Sequence, residues 1–394
     1  MRIDRRSLIA GGALLAIGAA PVRDQTARTM LDQAARMPSR ERLALLRKID
    51  RSGLSPGLRL DLAAALRGAM LEIRILDAAG PADRYLFQLR LQAGWDIAPA
   101  AAHALALDQA KRLTARADQL LRHEGLQEGG VADRLRILAR DPRYLYADDD
   151  AGRTQAVADM NRWLAAARAR LPQQFAILPL GSERVAVVRM TPAEDAAGKA
   201  GYRMLPEGAS PGAYHVDLHA IRQRPNWSLP SVVHHETLPG HMIQLPLQAV
   251  ADPHPLRLKA APGFVEGWAI YAEQLAAESG AFAADPRAEI GYIQWMLFRL
   301  GRSLIDTGIN HLGWSRDQAF DFLRGLQGDP VIFAPFEKDI DRASHAPGDL
   351  AGQALNWLGL VRLRGMQGRT SQGLRRFHDT VLRFGAAPLA LFFR

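Results

Sequence analysis

The 394-residue sequence contains no cysteine. Disulfide bonds, thiolate metal ligands and a cysteine nucleophile are therefore excluded together. Any transition-metal site in this protein must be built from histidine, aspartate and glutamate side chains. The remaining composition, with 48% hydrophobic and 23% charged residues, is typical of a globular protein and argues against wholesale disorder.

Lysine is also scarce, since only five of the 50 basic residues are lysine. The arginines that dominate the formal charge of +9 are scattered, many of them on helical segments, and form no clustered basic run. No nucleic-acid-binding motif accompanies them, so we predict no nucleic-acid partner. The positive charge could instead favour anionic substrates or attract the protein to anionic surfaces.

Long hydrophobic runs are missing as well, because no segment approaches the roughly 20 apolar residues that span a bilayer. The N-terminus carries the pair Arg5 and Arg6, followed by an apolar stretch rich in alanine and glycine over residues 7–20. This pattern predicts an export signal over residues 1–22, with the twin-arginine route favoured over an ordinary secretory signal or an uncleaved helix. We therefore expect a periplasmic or secreted protein with no transmembrane segment beyond the signal.

Apolar residues recur at helical spacing across residues 23–172, which predicts a helical N-terminal region. Near Gln173 the pattern changes, and short segments rich in β-forming residues begin. These segments cover residues 175–178, 185–188, 202–204 and 213–218. Helical pattern then returns and holds to the C-terminus, so residues 173–394 form the second predicted region. The predicted fold class is mainly α with a small antiparallel β-sheet.

Six of the eleven histidines lie between residues 215 and 254. The densest stretch, residues 231–241, reads SVVHHETLPGH. In the common zinc motif HExxH, the two histidines are four residues apart and share one helix face. Here His235 and His241 are six residues apart, which on an unbroken helix would turn them about 120° away from each other. Pro239 and Gly240 supply a helix break that can return His241 to the metal.

A carboxylate for the same site is available downstream. Glu266 and Glu273 are seven residues apart and lie within about 20° of each other on the helix predicted from residue 263 to 277. A carboxylate and two imidazoles make a three-ligand zinc site that leaves one position open for water. Glu236, next to His235, would take a proton from that water and pass it to the leaving amine. The residues therefore predict one zinc ion and a hydrolytic reaction.

The stretch HETLPGHMIQ, residues 235–244, resembles the HExxPGH signature of the bacterial domain of unknown function 885 family. Three further stretches are similar to family blocks and occur in the same order: EGWAIYAE at residues 266–273, Arg299 and Arg302 followed by DTGINHLGW at residues 306–314, and FHDTVLRFGAAPL at residues 377–389. The family is placed in the gluzincin clan of zinc peptidases. The resemblance therefore implies a gluzincin-like architecture that hydrolyses a peptide or small amide.

EGWAIYAE is also similar to the NEGFA segment of aminopeptidase N-type gluzincins, in which the glutamate before the glycine binds zinc. This resemblance implies that Glu266 is the ligand and that Glu273 orients a ligand histidine. One block departs from the family pattern, since residues 353–359 read QALNWLG where the family usually has QALxYKIG. If the family's tyrosine or lysine donates a hydrogen bond to the transition state, Trp357 and Leu358 cannot do so in the same way.

Two further blocks of the resemblance hold candidate site residues. Arg299 and Arg302 could hold a substrate carboxylate, although an internal acidic partner such as Asp306 is the favoured interpretation. The histidine of the family's DTGIH segment falls on Asn310, and His311 follows one place later.

Other polar residues near the motif each have a structural and a functional interpretation. His234 could support or compete with a metal ligand, but a position on the other side of the helix is favoured. Tyr271 could belong to the core or contact substrate. Tyr214 lies on a predicted edge strand, along which we expect the substrate backbone to pair by strand addition. His215 and His219 are expected to line the cleft, with a separate metal pair as the less favoured alternative.

The favoured function is zinc-dependent hydrolysis of a peptide or small amide bond. Two alternatives stay open at this point. One is a non-catalytic or weakly active zinc-containing binding protein, which the tryptophan and leucine in the departing block favour. The other is a different hydrolase or lyase on the same metal scaffold, since a scaffold does not fix a reaction. The sequence does not set the oligomeric state.

Overall fold

A computed structural model of the protein describes residues 22–207, 210–329, 334–366 and 370–393. Within these ranges the chain is mainly helical, as the sequence predicts. The helices in chain order are α1 (Val22–Ala34), α2 (Ser39–Leu46), α3 (Pro56–Leu76), α4 (Pro81–Ala93), α5 (Pro99–His123), α6 (Val131–Arg140), α7 (Asp150–Gln174), α8 (Pro192–Ala196), α9 (Leu229–Glu236), α10 (His241–Ala251), α11 (Pro255–Lys259), α12 (Phe264–Glu278), α13 (Pro286–Leu312), α14 (Arg316–Gln327), α15 (Phe336–His345), α16 (Asp349–Met366) and α17 (Ser371–Leu382).

The export signal predicted over residues 1–22 lies outside the described residues, apart from Val22 at the start of α1. Among the helices that the structure describes, none is long and apolar enough to cross a membrane.

The longest described helix, α13, runs through the core. Its start is set by Asp285, whose side chain accepts a hydrogen bond from the backbone N–H of Arg287, with Pro286 in the first turn. Its end is set by Gly313, which has a φ of 73°, a left-handed conformation that glycine adopts at low cost. Most residues from 288 to 308 are buried, because α13 packs against α5, α14 and α16. A helix that is buried on all sides organises the elements around it.

The main apolar core draws on both predicted regions of the chain. Tyr85 and Leu121 from the N-terminal helices share one contiguous cluster of buried side chains with Trp268 and Leu300 from the C-terminal helices. A smaller cluster joins α1, α2 and α3 to Leu256 of α11. Helices α9, α10 and α12, which carry the predicted metal ligands, contribute side chains to the main cluster. The motif is therefore held by core packing rather than displayed on a loop.

Three short strands form one sheet: β1 (Ala186–Arg189), β2 (Tyr202–Met204) and β3 (Ala213–Val216). In space the order is β1-β3-β2, with β3 parallel to β1 and antiparallel to β2. A small sheet is confirmed, but the prediction that it is antiparallel is wrong for the β1–β3 pair. The reason is the connection over residues 190–212, which turns through α8 and β2 and brings the chain back to start β3 in the direction of β1.

Two other strand predictions are wrong. Residues 175–178 form no strand, because Phe175 ends α7 and its ring is buried against Trp268 and His378. Strand β3 is not an edge strand, because β1 and β2 occupy both of its sides. The backbone of β3 is thus already paired, and a substrate cannot add to the sheet beside Tyr214.

Candidate metal centre

The two motif histidines lie on different helices. Helix α9 ends at Glu236 and α10 begins at His241, so the predicted helix break is confirmed. Pro239 cannot donate a backbone hydrogen bond, and Gly240 passes so close to the preceding turn that a Cβ there would lie 2.0 Å from the carbonyl oxygen of His235. A side chain at this glycine is therefore sterically excluded. Because the helix breaks here, the His241 side chain points in a direction that a continuous helix from His235 would not give it.

His235, His241 and Glu266 converge on one point. Nε2 of His235 lies 3.5 Å from Oε2 of Glu266, and Nε2 of His241 lies 3.5 Å from Oε1 of the same carboxylate. The two imidazole rings are nearly perpendicular, with their centroids 5.0 Å apart. One ligand atom from each residue lies within 4.8 Å of the others. In the part of the chain that the structure describes, no other three His, Asp or Glu side chains converge in this way.

The surroundings of His241 fit a cation. Its side chain is fully buried, and neither ring nitrogen makes a hydrogen bond to any described residue. An unpaired buried polar atom costs about 1–3 kcal/mol, so such atoms normally have a partner. Two imidazoles and one carboxylate match a three-residue zinc site with one open coordination position. The Glu266 side chain, in the first turn of α12, is 37% exposed and leaves the centre accessible.

The protonation of the three groups follows from their contacts. Burial and the neighbouring His235 ring lower the pKa of His241 well below its usual value. Burial and Arg299 oppose protonation of His235, but hydrogen bonds to Glu266 and Glu273 outweigh them and raise its pKa to about 9. Burial opposes ionisation of Glu266, yet its hydrogen bond to His235 and the charges around it lower the pKa of this carboxyl. A metal that bound Nε2 of His235 would therefore displace a proton from it.

Glu273 supports His235 on the opposite side of the imidazole ring. Oε1 of Glu273 accepts a hydrogen bond from Nδ1 of His235 at 2.8 Å, and Oε2 accepts one from Ser231 at 2.5 Å. Nη2 of Arg299 lies 3.8 Å from the same Oε1. These contacts hold the ring so that Nε2 faces Glu266. Sequence reasoning does not single out Ser231, although its place one helix turn before His235 is a usable signal.

Glu236, the predicted base, forms an ion pair with Arg203 of β2. The Glu236 side chain is 19% exposed and that of Arg203 is 29% exposed, so both remain accessible to solvent. Arg203 pairs with Tyr214 in the register between β2 and β3. Tyr214 is buried, and burial together with the charge of Glu236 raises its pKa. No sequence motif points to Arg203, because it lies in a short strand 33 residues before Glu236.

Two predicted candidates lie in the interior, away from the converging side chains. Nδ1 of His234 lies 2.7 Å from a backbone carbonyl oxygen one helix turn earlier, and burial lowers the pKa of His234 to about 4. The hydroxyl of Tyr271 lies 2.8 Å from Nε2 of His378, and both residues are buried. The structure thus gives His234 and Tyr271 core contacts.

The residues that depart from the family block are also buried. Trp357 is fully buried in α16, and its indole N–H donates a hydrogen bond to Gln274 of α12. Leu358 belongs to the same core cluster. These two positions therefore contribute packing between helices α12 and α16.

Arg302 has an acidic partner, but not the one predicted. Its Nε and Nη2 donate to the two carboxylate oxygens of Asp339 at 2.9 and 2.8 Å. Asp306 is buried and accepts hydrogen bonds from Tyr85 and from backbone N–H groups at the start of α16. The predicted pairing of Arg302 with Asp306 is wrong. Helix α15 brings Asp339 to the guanidinium, and Asp306 instead accepts hydrogen bonds from backbone N–H groups at the start of α16. His311 is exposed near the end of α13.

The histidines of the sheet region are not brought together as a metal pair. The His215 ring stacks on Tyr202 with centroids 4.3 Å apart, whereas Nδ1 of His219 pairs with Asp217. Neither histidine belongs to a group of three converging ligands in the described residues.

Comparison with known proteins places the chain in a family. The model of a family described as "Bacterial protein of unknown function (DUF885)" matches residues 17–393. None of the curated proteins matches the chain. A solved structure from Colwellia psychrerythraea, described as a candidate lipoprotein, is 25% identical with a TM-score of 0.70, and the similarity covers 93% of this chain and 68% of that one.

A second solved structure, from Shewanella oneidensis, is described as a candidate lipoprotein of unknown function. It is 16% identical with a TM-score of 0.63, and the similarity covers 93% of this chain and 72% of that one. At this identity the likeness concerns the fold alone. The family match includes the N-terminal helices as well as the segment with His235, His241 and Glu266, and the chain therefore belongs to the bacterial protein family of unknown function DUF885.

Proposed function

We propose that this protein is a zinc-dependent hydrolase that cleaves amide bonds in peptides or small amides. His235, His241 and Glu266 would hold one zinc ion, and Glu236 would act as the general base. The observation that carries this proposal is the convergence of three ligand atoms around a buried His241 ring that has no hydrogen-bond partner among the described residues.

The chain's own residues divide the chemical work. Glu236 follows ligand His235 directly at the end of α9, and its carboxylate remains partly open to solvent. It can therefore accept a proton from water and return it to the leaving amine. Glu273 and Ser231 keep the His235 ring in place during this transfer. A bound zinc ion would supply Lewis acidity, which acidifies water and polarises a carbonyl oxygen.

The position of the sheet supports a peptide substrate that runs along β2. Strand β3 is paired on both sides, whereas β2 lies at one edge of the sheet. An extended peptide can add to an edge strand through main-chain hydrogen bonds. Because Arg203 of β2 contacts Glu236, a peptide on this edge would lie near the proposed base.

Export is part of the same proposal. The two similar solved structures are described as candidate lipoproteins, and residues 1–22 of this chain have the pattern of an export signal. We infer that the protein acts outside the cytoplasm, on peptides of the periplasm or the surrounding medium.

A second candidate is a zinc-containing binding protein without turnover. Burial of Trp357 and Leu358 favours it, because these positions offer no hydrogen-bond donor to a substrate where the family has tyrosine and lysine. The two candidates differ in cleavage, and the same experiment separates them.

The test combines metal analysis with a peptide-library cleavage screen, with and without chelator. We expect about one zinc per chain and chelator-sensitive cleavage. Glu236→Gln should retain the zinc and lose cleavage about 10²-fold or more, the scale expected of a general base. Glu183→Gln, at an exposed glutamate in a surface turn, is the matched control and should cleave normally. Cleavage that persists in Glu236→Gln, or after complete metal removal, would contradict the proposal.

A further inference from the structure

The guanidinium of Arg203 faces the candidate centre from the sheet. In the antiparallel register Arg203 is directly opposite Tyr214, while the next pair along, Tyr202 and His215, stacks its rings on the other face. Neighbouring residues of a strand point to opposite faces. Arg203 and Tyr214 therefore share the face that meets Glu236, which is also the face where the Arg203 ion pair forms.

Arg203 offers a partly exposed guanidinium beside the candidate centre. A second guanidinium near the centre belongs to Arg299, whose Nη2 lies 3.4 Å from Nδ1 of His235. Arg299 is buried, with Nη2 within 3.8 Å of Glu273 and its guanidinium over the ring of Phe298. By contrast, 29% of the Arg203 side chain is exposed. Of these two arginines, Arg203 is therefore the more open to an anionic substrate.

The binding capacity of Arg203 is only partly used. A guanidinium has five N–H donors in a planar fork that suits both oxygens of a carboxylate. Among the described residues, Arg203 has one ion-pair partner, and a single nitrogen, Nη1, contacts one oxygen of Glu236. The remaining N–H donors can bind a second carboxylate while Glu236 stays in place. Alternatively, the guanidinium can release Glu236 and bind another carboxylate with two of its nitrogens.

We propose that Arg203 is a substrate-binding residue that recognises a carboxylate of the peptide, and that this carboxylate takes the place of Glu236 on the guanidinium. The inference rests on the proposed function and narrows its substrate class to peptides with a carboxylate near the bond to be cleaved. Two sources share this chemistry: the C-terminal α-carboxylate and an aspartate or glutamate side chain. The exchange also frees the Glu236 carboxylate when substrate is present.

Binding rather than cleavage provides the test. Glu236→Gln protein, as purified and with its metal content measured, is titrated with N-acetyl-Ala-Ala-Ala as the free acid and as the C-terminal amide. A second pair, N-acetyl-Ala-Asp-Ala-amide and N-acetyl-Ala-Asn-Ala-amide, separates a side-chain carboxylate from a C-terminal one. Each titration is repeated with double variants that combine Glu236→Gln with Arg203→Met, with Arg203→Lys or with the control Arg189→Met. Arg189 lies on β1 at the opposite edge of the sheet, pairs with Asp150 and is 33% exposed.

We expect the carboxylate form of at least one pair to bind about tenfold more tightly than its neutral partner, the scale of one charge-assisted hydrogen bond. Arg203→Met should remove this preference, and Arg189→Met should leave it intact. Arg203→Lys should keep part of it, because an ammonium retains the charge without the planar fork. After chelation of both proteins, the carboxylate ligand should bind more weakly to wild type than to Glu236→Gln, because Glu236 competes for Arg203.

Thermal unfolding of each variant checks that it is folded. If Arg203→Met does not fold, the binding preference is compared between Arg203→Lys and the control instead. Equal binding of the charged and neutral peptides, no binding of either, or a preference that survives Arg203→Met overturns the inference. Absence of zinc or of wild-type cleavage contradicts the proposed function instead, and the binding preference is scored independently of both.

Discussion

Nδ1 of His235 donates a hydrogen bond to Glu273 at 2.8 Å, on the side of the ring away from Glu266. This contact decides which nitrogen of the imidazole is left for a metal. Because a carboxylate can only accept, Nδ1 keeps its proton in the bond to Glu273, and Nε2 is the nitrogen that can give up its proton and offer a lone pair to a metal. Helix α12 thus supplies both a proposed ligand, Glu266, and the group that orients a second proposed ligand, two turns apart.

Glu273→Gln should therefore weaken zinc binding without removing a ligand. We expect an increase in the zinc dissociation constant of about 10–100-fold, the range found when an orienting partner of a metal-bound histidine is lost. Competition with a chromogenic chelator measures it. Glu278→Gln changes a more exposed carboxylate on the same helix and should bind zinc as wild type does. Equal affinities for the two variants would show that Glu273 does not position His235.

Metal removal should lower the thermal stability of the wild-type protein. A ligand that binds only the folded state stabilises it by about 3 kcal/mol when present at 100 times its dissociation constant. Chelation should therefore reduce the unfolding temperature of wild type but leave that of His241→Ala unchanged. His345→Ala, at an exposed histidine of α15, should respond to chelator as wild type does. A chelator effect that persists in His241→Ala would mean that the stabilising metal binds elsewhere.

Gly240→Ala should disturb both the fold and the metal centre. The added Cβ would lie 2.0 Å from the carbonyl oxygen of His235 and 2.4 Å from that of His234, so the backbone must shift. Such overpacking costs about 1–3 kcal/mol of unfolding free energy. Gly325→Ala is the matched control, because nothing lies within 4 Å of its Cβ position on α14 and alanine is the better helix former by up to about 1 kcal/mol.

Chemical denaturation and zinc titration measure both glycine variants. We expect Gly240→Ala to lose stability and zinc affinity together, since the same turn aims His241. Stability that rises in both variants would show that the turn tolerates a side chain and that the helix break does not depend on glycine.

Acid should destabilise the protein partly through His378. Burial lowers the pKa of His378 to about 3, and its ring lies between the Tyr271 hydroxyl and the backbone carbonyl of Gln174. Because the folded-state pKa is below the unfolded value of about 6.5, the unfolded chain binds the extra proton in this window. The stability that neutral His378 contributes is therefore complete above pH 6.5 and is lost progressively as the pH falls towards 3.

His378→Gln removes this titration. Unfolding free energies of wild type and variant, measured at several pH values from 7 to 4, should differ by a margin that shrinks as the pH falls. A margin that is constant over this range would show that His378 titrates alike in the folded and unfolded chains.

The sequence predicts the parts of the centre whose chemistry is local. Pro239 and Gly240 predict the break between α9 and α10, because each acts on the backbone within one helix turn. Glu266 and Glu273 follow one another at helical spacing, so their common face is predictable without any tertiary information. The contact between α9, α10 and α12 depends on tertiary packing, which local sequence does not predict. The family resemblance is what indicates that Glu266 lies beside His235 and His241.

The predictions that failed depend on distant partners. The spacing of Arg302 and Asp306 on one helix favours their pairing, yet Asp339 comes from α15 and Asp306 is drawn to the start of α16. Phe175 has high β-propensity but is buried at the end of α7, since propensity in strands follows packing more than the backbone. The direction of β1 relative to β3 was likewise set by the path of the intervening chain.

The residue that faces Glu236 from the sheet and the three converging side chains lie in separate parts of the sequence. The connection between the parallel strands β1 and β3 contains β2, and Arg203 lies on that strand. Helices α9, α10 and α12, which carry the three converging side chains, follow β3 in the sequence. Insertions or exchanges in this connection would change the residue that faces Glu236 and leave the sequences of α9, α10 and α12 unchanged. A change in ligand preference could thus arise from one short stretch of the chain without any change in the three converging side chains.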